Sequence, residues 1–473
     1  MNLEFIRPLI KYLPEVRLPK RHVPFKEKLI WTSIVLFLFF IMGVIYPVHI
    51  EPTDLPSAYQ QFAMIFASTM GTIISAGIGP IVTSSIVLQL LVGAKMIDID
   101  LTTEDGKALF QGTQKILTVL IAFFEAGAIV FGFRLGFKYL GDQWGLLHPF
   151  VQFTIFQIAL GSILLMYMDE IVSKWGIGSG IGLFIAGGVS KGIVTQSITF
   201  LEWIDPEKFP EILGVIPNFI QEAMHGSFNL ILLFPLIATL IVFLVVVLCE
   251  SMRIEIPLSY GGIRGVGGRY PLKFFYVSNI PVILAAALLA NVQMLPGIVG
   301  VDMYDPQSIG DMNILQSSVY QLSRLITLGE LNGILSPNNL YKLVDVNILI
   351  HLIMYLIVFT GLCVLFGKFW VETTGLGAEQ VAEQIQRGGM QIPGFRRDQR
   401  VIERVLNRYI PQITIISSVA VGLLAAGADL LGAIGSGTGI LLTVGILYRL
   451  YEEIQREQMS EMHPMFRRFM GKI

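Results

Sequence analysis

The run from Pro56 to Ala94, PSAYQQFAMIFASTMGTIISAGIGPIVTSSIVLQLLVGA, limits the possible folds more than any other stretch of the chain. It is apolar for most of its length, yet a bilayer core takes only about 20 helical residues to cross. The run is too long for one span and too short for two spans and a loop. Gly71, Gly77, Gly79 and Pro80 fall where a continuous helix is weakest. Two arrangements fit: one long tilted helix with its first turns in water, or a half-helix at 57–70 followed by a full span at 72–94. Irregular backbone at membrane depth survives only where protein or a water-filled cavity surrounds it. The broken arrangement, which the glycines favour, therefore implies a chain that encloses a path.

Only 14% of the 473 residues are charged and the mean hydropathy is +0.67, whereas about 25% of a soluble domain is charged. Length here measures helix number. Hydropathy predicts ten spans, at 29–48, 72–94, 115–135, 147–168, 180–200, 229–249, 274–295, 347–367, 410–428 and 431–450. With loops assigned alternately to two sides, the side holding both termini collects 27 of the 33 Lys and Arg, and the other side six. The positive-inside rule then puts both termini in the cytoplasm, and a miscount by one span would spoil the bias. The organisation is a cytoplasmic segment at 1–28, a first half at 29–200, an external loop at 201–228, a second half at 229–450 and a cytoplasmic tail at 451–473. Leu3, Ile6, Ile10 and Leu13 recur at helical spacing among basic residues, so the start is expected on the membrane surface. It lacks the short apolar core and cleavage site of a signal peptide. The external stretch 296–346 is too long to be wholly structureless.

An internal repeat accompanies this count. Gly178-Ser179-Gly180-Ile181-Gly182 opens the fifth span, and Gly435-Ser436-Gly437-Thr438-Gly439 stands in the tenth. Two halves of five spans each must lie inverted across the membrane.

Catalytic chemistry is not legible. Cys249 and Cys363 lie in apolar runs, the six histidines have no ligand spacing, and no nucleophile–base pair or zinc pattern occurs. The glycine-rich run 261–269 lacks the GK[ST] of a phosphate loop. No metal, cofactor or enzymatic activity is expected. Glu125 is the clear ionisable group within a span, with Thr83, Gln89, Asn279 and Asn291 as neutral polar company, and a mid-bilayer charge costs roughly 2.5–3.5 kcal/mol. Two basic loops, 250–273 and 368–409, suit a polyanionic partner such as RNA or an acidic protein surface. From the residues alone, a passive channel competes with a secondary solute transporter built from inverted repeats.

Longer motifs narrow the choice. One runs from Thr72 to Leu91 with Gly77, Ile78, Gly79, Pro80 and Gln89. Another runs from Tyr167 through Glu170 and Ser173 to Gly178, Ser179, Gly180 and Ile185. FQG at 110–112, VSNIP at 277–281, WVETTG at 370–375 and RYIP at 408–411 complete the set. Across essentially its whole length the chain resembles the SecY family in its archaeal form, the main subunits of protein-conducting channels. Ala76 departs from the larger aliphatic residue that the family tends to place there.

The resemblance implies an all-α membrane fold of ten transmembrane helices in two inverted five-helix halves, with a short re-entrant plug helix. Secretory polypeptides would cross through an hourglass pore, and membrane segments would leave sideways through a gate between the second and seventh spans. It implies a pore ring of Ile78, Val82, Ile181, Ile185, Ile283 and Leu442. The plug falls on 57–70, including Ser57, Tyr59, Phe62, Ile65, Phe66 and Met70. Polar gate residues are Thr83, Glu125 and Asn291. Ribosome docking falls on Arg264, Arg269, Lys273, Arg396 and Arg397. Implied partners are a SecE-like subunit, a small single-span subunit, the ribosome, signal-bearing polypeptides and bilayer lipid, with no nucleic acid beyond ribosomal RNA. The implied location is the cell membrane.

Overall fold

The structure, a computed structural model, describes residues 7–10, 12–21, 23–48, 50, 63, 66–93, 96–97, 99, 103–132, 148–200, 214–226, 228–260, 267–277, 279–299, 313–387, 390–391 and 399–462. Among these, α1 (Arg7–Ile10) precedes ten long helices and three shorter ones. The first five long helices are α2 (Phe25–Met42), α3 (Gly79–Gly93), α4 (Glu104–Gly132), α5 (Pro149–Trp175) and α6 (Gly180–Ile198). After α7 (Val215–Met224) come α8 (Phe234–Ser251), α9 (Ile280–Ile298), α10 (Ile314–Ile326) and α11 (Val346–Thr373). The chain then forms α12 (Ala378–Arg387), α13 (Gln399–Leu430) and α14 (Gly437–Met462). Helices α4, α5, α6, α8, α11 and α13 are long and apolar enough to cross a bilayer unaided. One apolar cluster drawn from both halves fills the space between the helices.

Helix α3 is shorter than the sequence predicts. Its 15 residues rise about 22 Å, against a hydrocarbon core of about 30 Å. Residues 66–78 are successive turns, so the span expected from 72 begins as helix only at Gly79. Gly77 explains the late start. Its φ is +53°, and a Cβ there would lie 2.2 Å from the carbonyl oxygen of Phe66. That oxygen accepts the Ile78 N–H at 2.8 Å. The helix expected over 57–70 likewise does not reach Met70, because Phe66 and Ala67 already turn. Ser57, Tyr59, Phe62 and Ile65 lie outside the described residues.

The expected cytoplasmic loop 368–409 is largely helical. Val381, Ala382 and Ile385 of α12 pack against Ile402, Leu406 and Ile410 of α13 in a second apolar cluster that includes Leu272 and Val277. The other basic loop is a hairpin, β1 (Arg253–Tyr260) with β2 (Gly267–Lys273), in the register Arg253 to Lys273. Strand β3 (Met390–Gln391) joins β1 from the second loop, so both basic loops share one sheet. Helix α14 starts six residues later than the span predicted from 431 and runs on through charged sequence to Met462. Its Glu452 receives Lys273 at 2.8 Å, and Glu457 receives Lys28 at 2.7 Å.

The repeat read from glycines has an acidic counterpart. Asp169 near the end of α5 accepts the Ile181 N–H at 2.9 Å, at the start of α6. Asp429 near the end of α13 accepts the N–H groups of Gly437 and Thr438 at 2.6 and 3.4 Å, and the Thr438 hydroxyl at 2.5 Å, at the start of α14. Ile181 and Thr438 occupy the same place in the repeat. Each carboxylate thus serves donors that a helix N-terminus otherwise leaves free. Asp429 is 3% exposed, and water cannot easily replace it. Asp429→Ala should therefore lower stability by about 1–3 kcal/mol, the usual cost of stranded buried partners, while Asp429→Asn keeps an acceptor and loses less. Thermal unfolding of the detergent-solubilised protein checks this, and an unchanged midpoint for the Ala variant would show the cap to be idle.

Candidate functional site

Six aliphatic residues come from four helices and the turn before one of them. Ile78 sits in the turn before α3, Val82 on α3, Ile181 and Ile185 on α6, Ile283 on α9 and Leu442 on α14. All six fall within or against the same apolar cluster. Ile78, Ile185 and Leu442 are wholly buried, and Ile181 and Ile283 are half-buried. Val82, Ile181, Ile185 and Ile283 line a cavity of about 320 Å³ that extends to Arg449 and Glu453 on the face carrying the basic loops. Ile78 and Leu442 do not line this cavity. The side chains of Val82, Ile181, Ile185 and Ile283 hold water poorly and supply no ligand for an ion.

Helix α3 is bonded on both flanks. Thr83 Oγ1 donates to Glu125 Oε1 on α4 at 2.6 Å, and Asn291 Nδ2 on α9 donates to Thr83 Oγ1 at 3.1 Å. The three residues singled out from sequence therefore form one chain, with Thr83 as its middle link. Ser84 and Thr118 make a further contact between α3 and α4 at 2.7 Å. Phe66 closes the end of this arrangement. It is 1% exposed, and a Cβ at Gly79 would meet Glu125 Oε2 at 2.6 Å and Phe66 Cδ1 at 3.3 Å. Met70 packs partly buried against the same cluster.

A contact that the sequence does not reveal joins α9 to α14. Asn279, just before α9, donates through Nδ2 to the Leu441 carbonyl at 3.1 Å. Gly445 makes room for it, since a Cβ there would lie 1.7 Å from that nitrogen. The accepting carbonyl thus sits one residue from Leu442 along α14.

On the basic face, Lys273 is engaged rather than free: besides Glu452 it lies 5.5 Å from the Tyr448 ring centroid. Arg269 pairs in register with Pro257 in the hairpin. Arg264, Arg396 and Arg397 lie outside the described residues. Lys174, at the end of α5, donates to Glu15 Oε1 and Glu170 Oε1, both at 2.8 Å, and to the Val16 carbonyl at 2.5 Å. The bond from Lys174 holds the Glu15 carboxyl below its ordinary range. Residues 15–17 are thereby strapped to α5, and Trp175 Nε1 adds a bond to the Arg17 carbonyl at 3.0 Å. Among the described residues, no three His, Cys, Asp or Glu side chains converge as metal ligands.

Comparison with known proteins places this architecture. The SecY family model matches residues 72–451. The protein translocase subunit SecY of Methanocaldococcus jannaschii is 45% identical over 98% of this chain and 99% of its own. That of Pyrococcus horikoshii is 44% identical over 98% of both. A solved structure described as that of a protein conducting channel superimposes with a TM-score of 0.78, at 44% identity over 97% of this chain and 98% of its own. Sec61 in a canine ribosome-channel complex from the endoplasmic reticulum gives a TM-score of 0.75, at 44% identity over the same shares. These relatives are channel subunits, and none of the comparisons favours a solute transporter. The chain belongs to the SecY family and is a multi-pass membrane protein, the pore-forming subunit of a protein translocation channel.

Proposed function

We propose that Val82, Ile181, Ile185 and Ile283, with Ile78 and Leu442 beside them, form the seal of the pore, and that α3 and α9 are the two edges of its lateral exit. The observation that carries this reading is the meeting of α3, α6 and α9 on one aliphatic cavity, next to a seam that Thr83 bonds shut. The ring dewets and blocks ions at rest, yet yields to a passing polypeptide because it makes no directional bond to it. Residues 57–70 are the plug beneath it, joined to the ring through the bond between Phe66 and Ile78. The chain functions as a passive conduit, without catalysis of its own.

The face with the basic loops is cytoplasmic, in keeping with the distribution of Lys and Arg, and the protein resides in the cell membrane. The shared sheet of the two loops supports docking of a ribosome, with Arg264, Arg269, Arg396 and Arg397 as contacts and Lys273 as a brace beneath them. A SecE-like subunit and a single-span subunit complete the channel from its lipid-facing side. The domain organisation follows the two halves, 29–200 and 229–450, with the helical part of 368–409 as a cytoplasmic platform.

Three outcomes test these roles. Replacing Ile78, Ile181 and Ile283 together with Ser should wet the constriction and raise resting ion conductance in planar bilayers. Recordings as silent as the parent's would place the seal elsewhere.

Arg264→Glu with Arg396→Glu should weaken ribosome binding most at low salt, where screening is least. It should leave the fold intact, because exposed charges contribute little to stability. Equal ribosome affinity for variant and parent at low salt would remove these residues from the docking surface.

Thr83→Val should let less hydrophobic signals open the seam. It deletes both bonds of the closed state, interhelical polar contacts worth about 0.6–2 kcal/mol each, and it removes a hydroxyl from the face exposed on opening. Both effects favour the open state. Translocation of a graded series of signal sequences gives the threshold, and an unchanged or higher threshold would contradict the assignment.

A further inference from the structure

Three side-chain amides line the cavity, Gln114 on α4 among them, and the two that are buried stand on opposite edges of the seam, Gln89 on α3 and Asn279 beside α9. They are 4% and 3% exposed. Each gives one N–H to the protein: Gln89 Nε2 donates to Ser85 Oγ at 3.0 Å, and Asn279 Nδ2 to the Leu441 carbonyl at 3.1 Å. For Asn279 the orientation is fixed, since a backbone carbonyl can only accept. Among the described residues, no donor reaches Gln89 Oε1 or Asn279 Oδ1. Buried acceptors are seldom left so. The walls around them are aliphatic, among them Ile81, Ile280 and Leu284.

This lining suits a ligand with an apolar body and a cluster of N–H donors at one end. The first turn of an apolar helix has that form: its first N–H groups lack intrahelical partners, and the helix dipole makes that end positive. The opposite end presents carbonyls, which two acceptors repel. Arg449 and Glu453 at the mouth are of opposite sign and leave the choice to the neutral amides.

We propose that Gln89 and Asn279 cap the amino-terminal turn of a signal helix entering the seam, and so fix its polarity with the amino end toward the basic face. A cavity of about 320 Å³ takes a turn rather than a whole helix, so the remainder of the helix lies in the opened seam. This rests on the reading of the chain as a channel for signal-bearing polypeptides.

The test uses synthetic signal peptides, fluorescently labelled, and the full-length channel in lipid nanodiscs. In one peptide, amide-to-ester replacements delete the N–H groups of the first helical turn. In a control, the same replacements fall mid-helix. The parent channel should bind the first-turn ester peptide about tenfold more weakly than the all-amide peptide. Gln89→Met should bind the all-amide peptide more weakly than the parent and show a smaller penalty for the first-turn esters, since only one acceptor remains. Asn279→Met is the second variant, and either one alone decides if the other fails to fold. Mid-helix esters should affect parent and variants alike. A first-turn penalty as large in the variants as in the parent, or no penalty in the parent, would overturn the cap. If the parent binds no signal peptide at all, the channel reading itself fails.

Discussion

The hydroxyl of Thr83 is where the two halves of this molecule are held together within the membrane. It donates to Glu125 and accepts from Asn291, so one side chain ties α3 to α4 in its own half and to α9 in the other. With little water in a bilayer core, polar groups must find partners in protein, and exposing any of the three to lipid is unfavourable. The seam is therefore closed by default. It is not locked, because a few such bonds are comparable to what a hydrophobic segment gains by packing in their place.

The neighbouring geometry depends on that seam. Helix α3 is too short to span the bilayer by itself, and the backbone that completes its path, residues 66–78, is irregular. Such a segment is stable only because α4, α5 and α6 enclose it. A Cβ at Gly161 of α5 would lie 1.9 Å from the Ile73 carbonyl oxygen, and one at Gly188 of α6 would touch Ala67. Val82, Ile181 and Ile185 meet on the wall of one cavity, and Ile78 and Leu442 belong to the same apolar cluster. On the face with the basic loops, ion pairs add to the second apolar cluster as connections. The basic hairpin, α2 and α14 meet through Lys273, Lys28, Glu452 and Glu457. A load on the hairpin thus reaches α14, whose Leu441 carbonyl is bonded to Asn279 at the foot of α9.

Much of the architecture was legible in the chain because bilayer thickness imposes a length on each apolar run. All ten predicted spans correspond to long helices. The errors fall where another constraint overrides hydropathy. Helix α3 starts late because the positive φ of Gly77 places the Ile78 N–H on Phe66 rather than in a helix. The helices at 378–387 and 399–409 were missed because their apolar residues, such as Val381, Ile385, Ile402 and Leu406, form stripes among charges and do not register as a span. The acidic caps were missed for a different reason. Asp169 precedes Gly180 by eleven residues and Asp429 precedes Gly437 by eight, so alignment on the glycines does not pair them. The meeting of Thr83 with Asn291, 208 residues apart, follows from no local pattern. It was anticipated through the family resemblance.

The most direct measurement concerns whether polypeptides need the seam between α3 and α9 to part. Thr83→Cys and Asn291→Cys, in a background where Cys249 and Cys363 are replaced by Ala, place two thiols across it. A short bifunctional reagent then pins the edges together, and a long one leaves them room to separate. The account predicts that the short bridge stops release of a transmembrane segment into lipid and that the long bridge permits it. Release through the short-bridged channel at the unbridged rate would contradict the assignment of α3 and α9 as the edges of the exit.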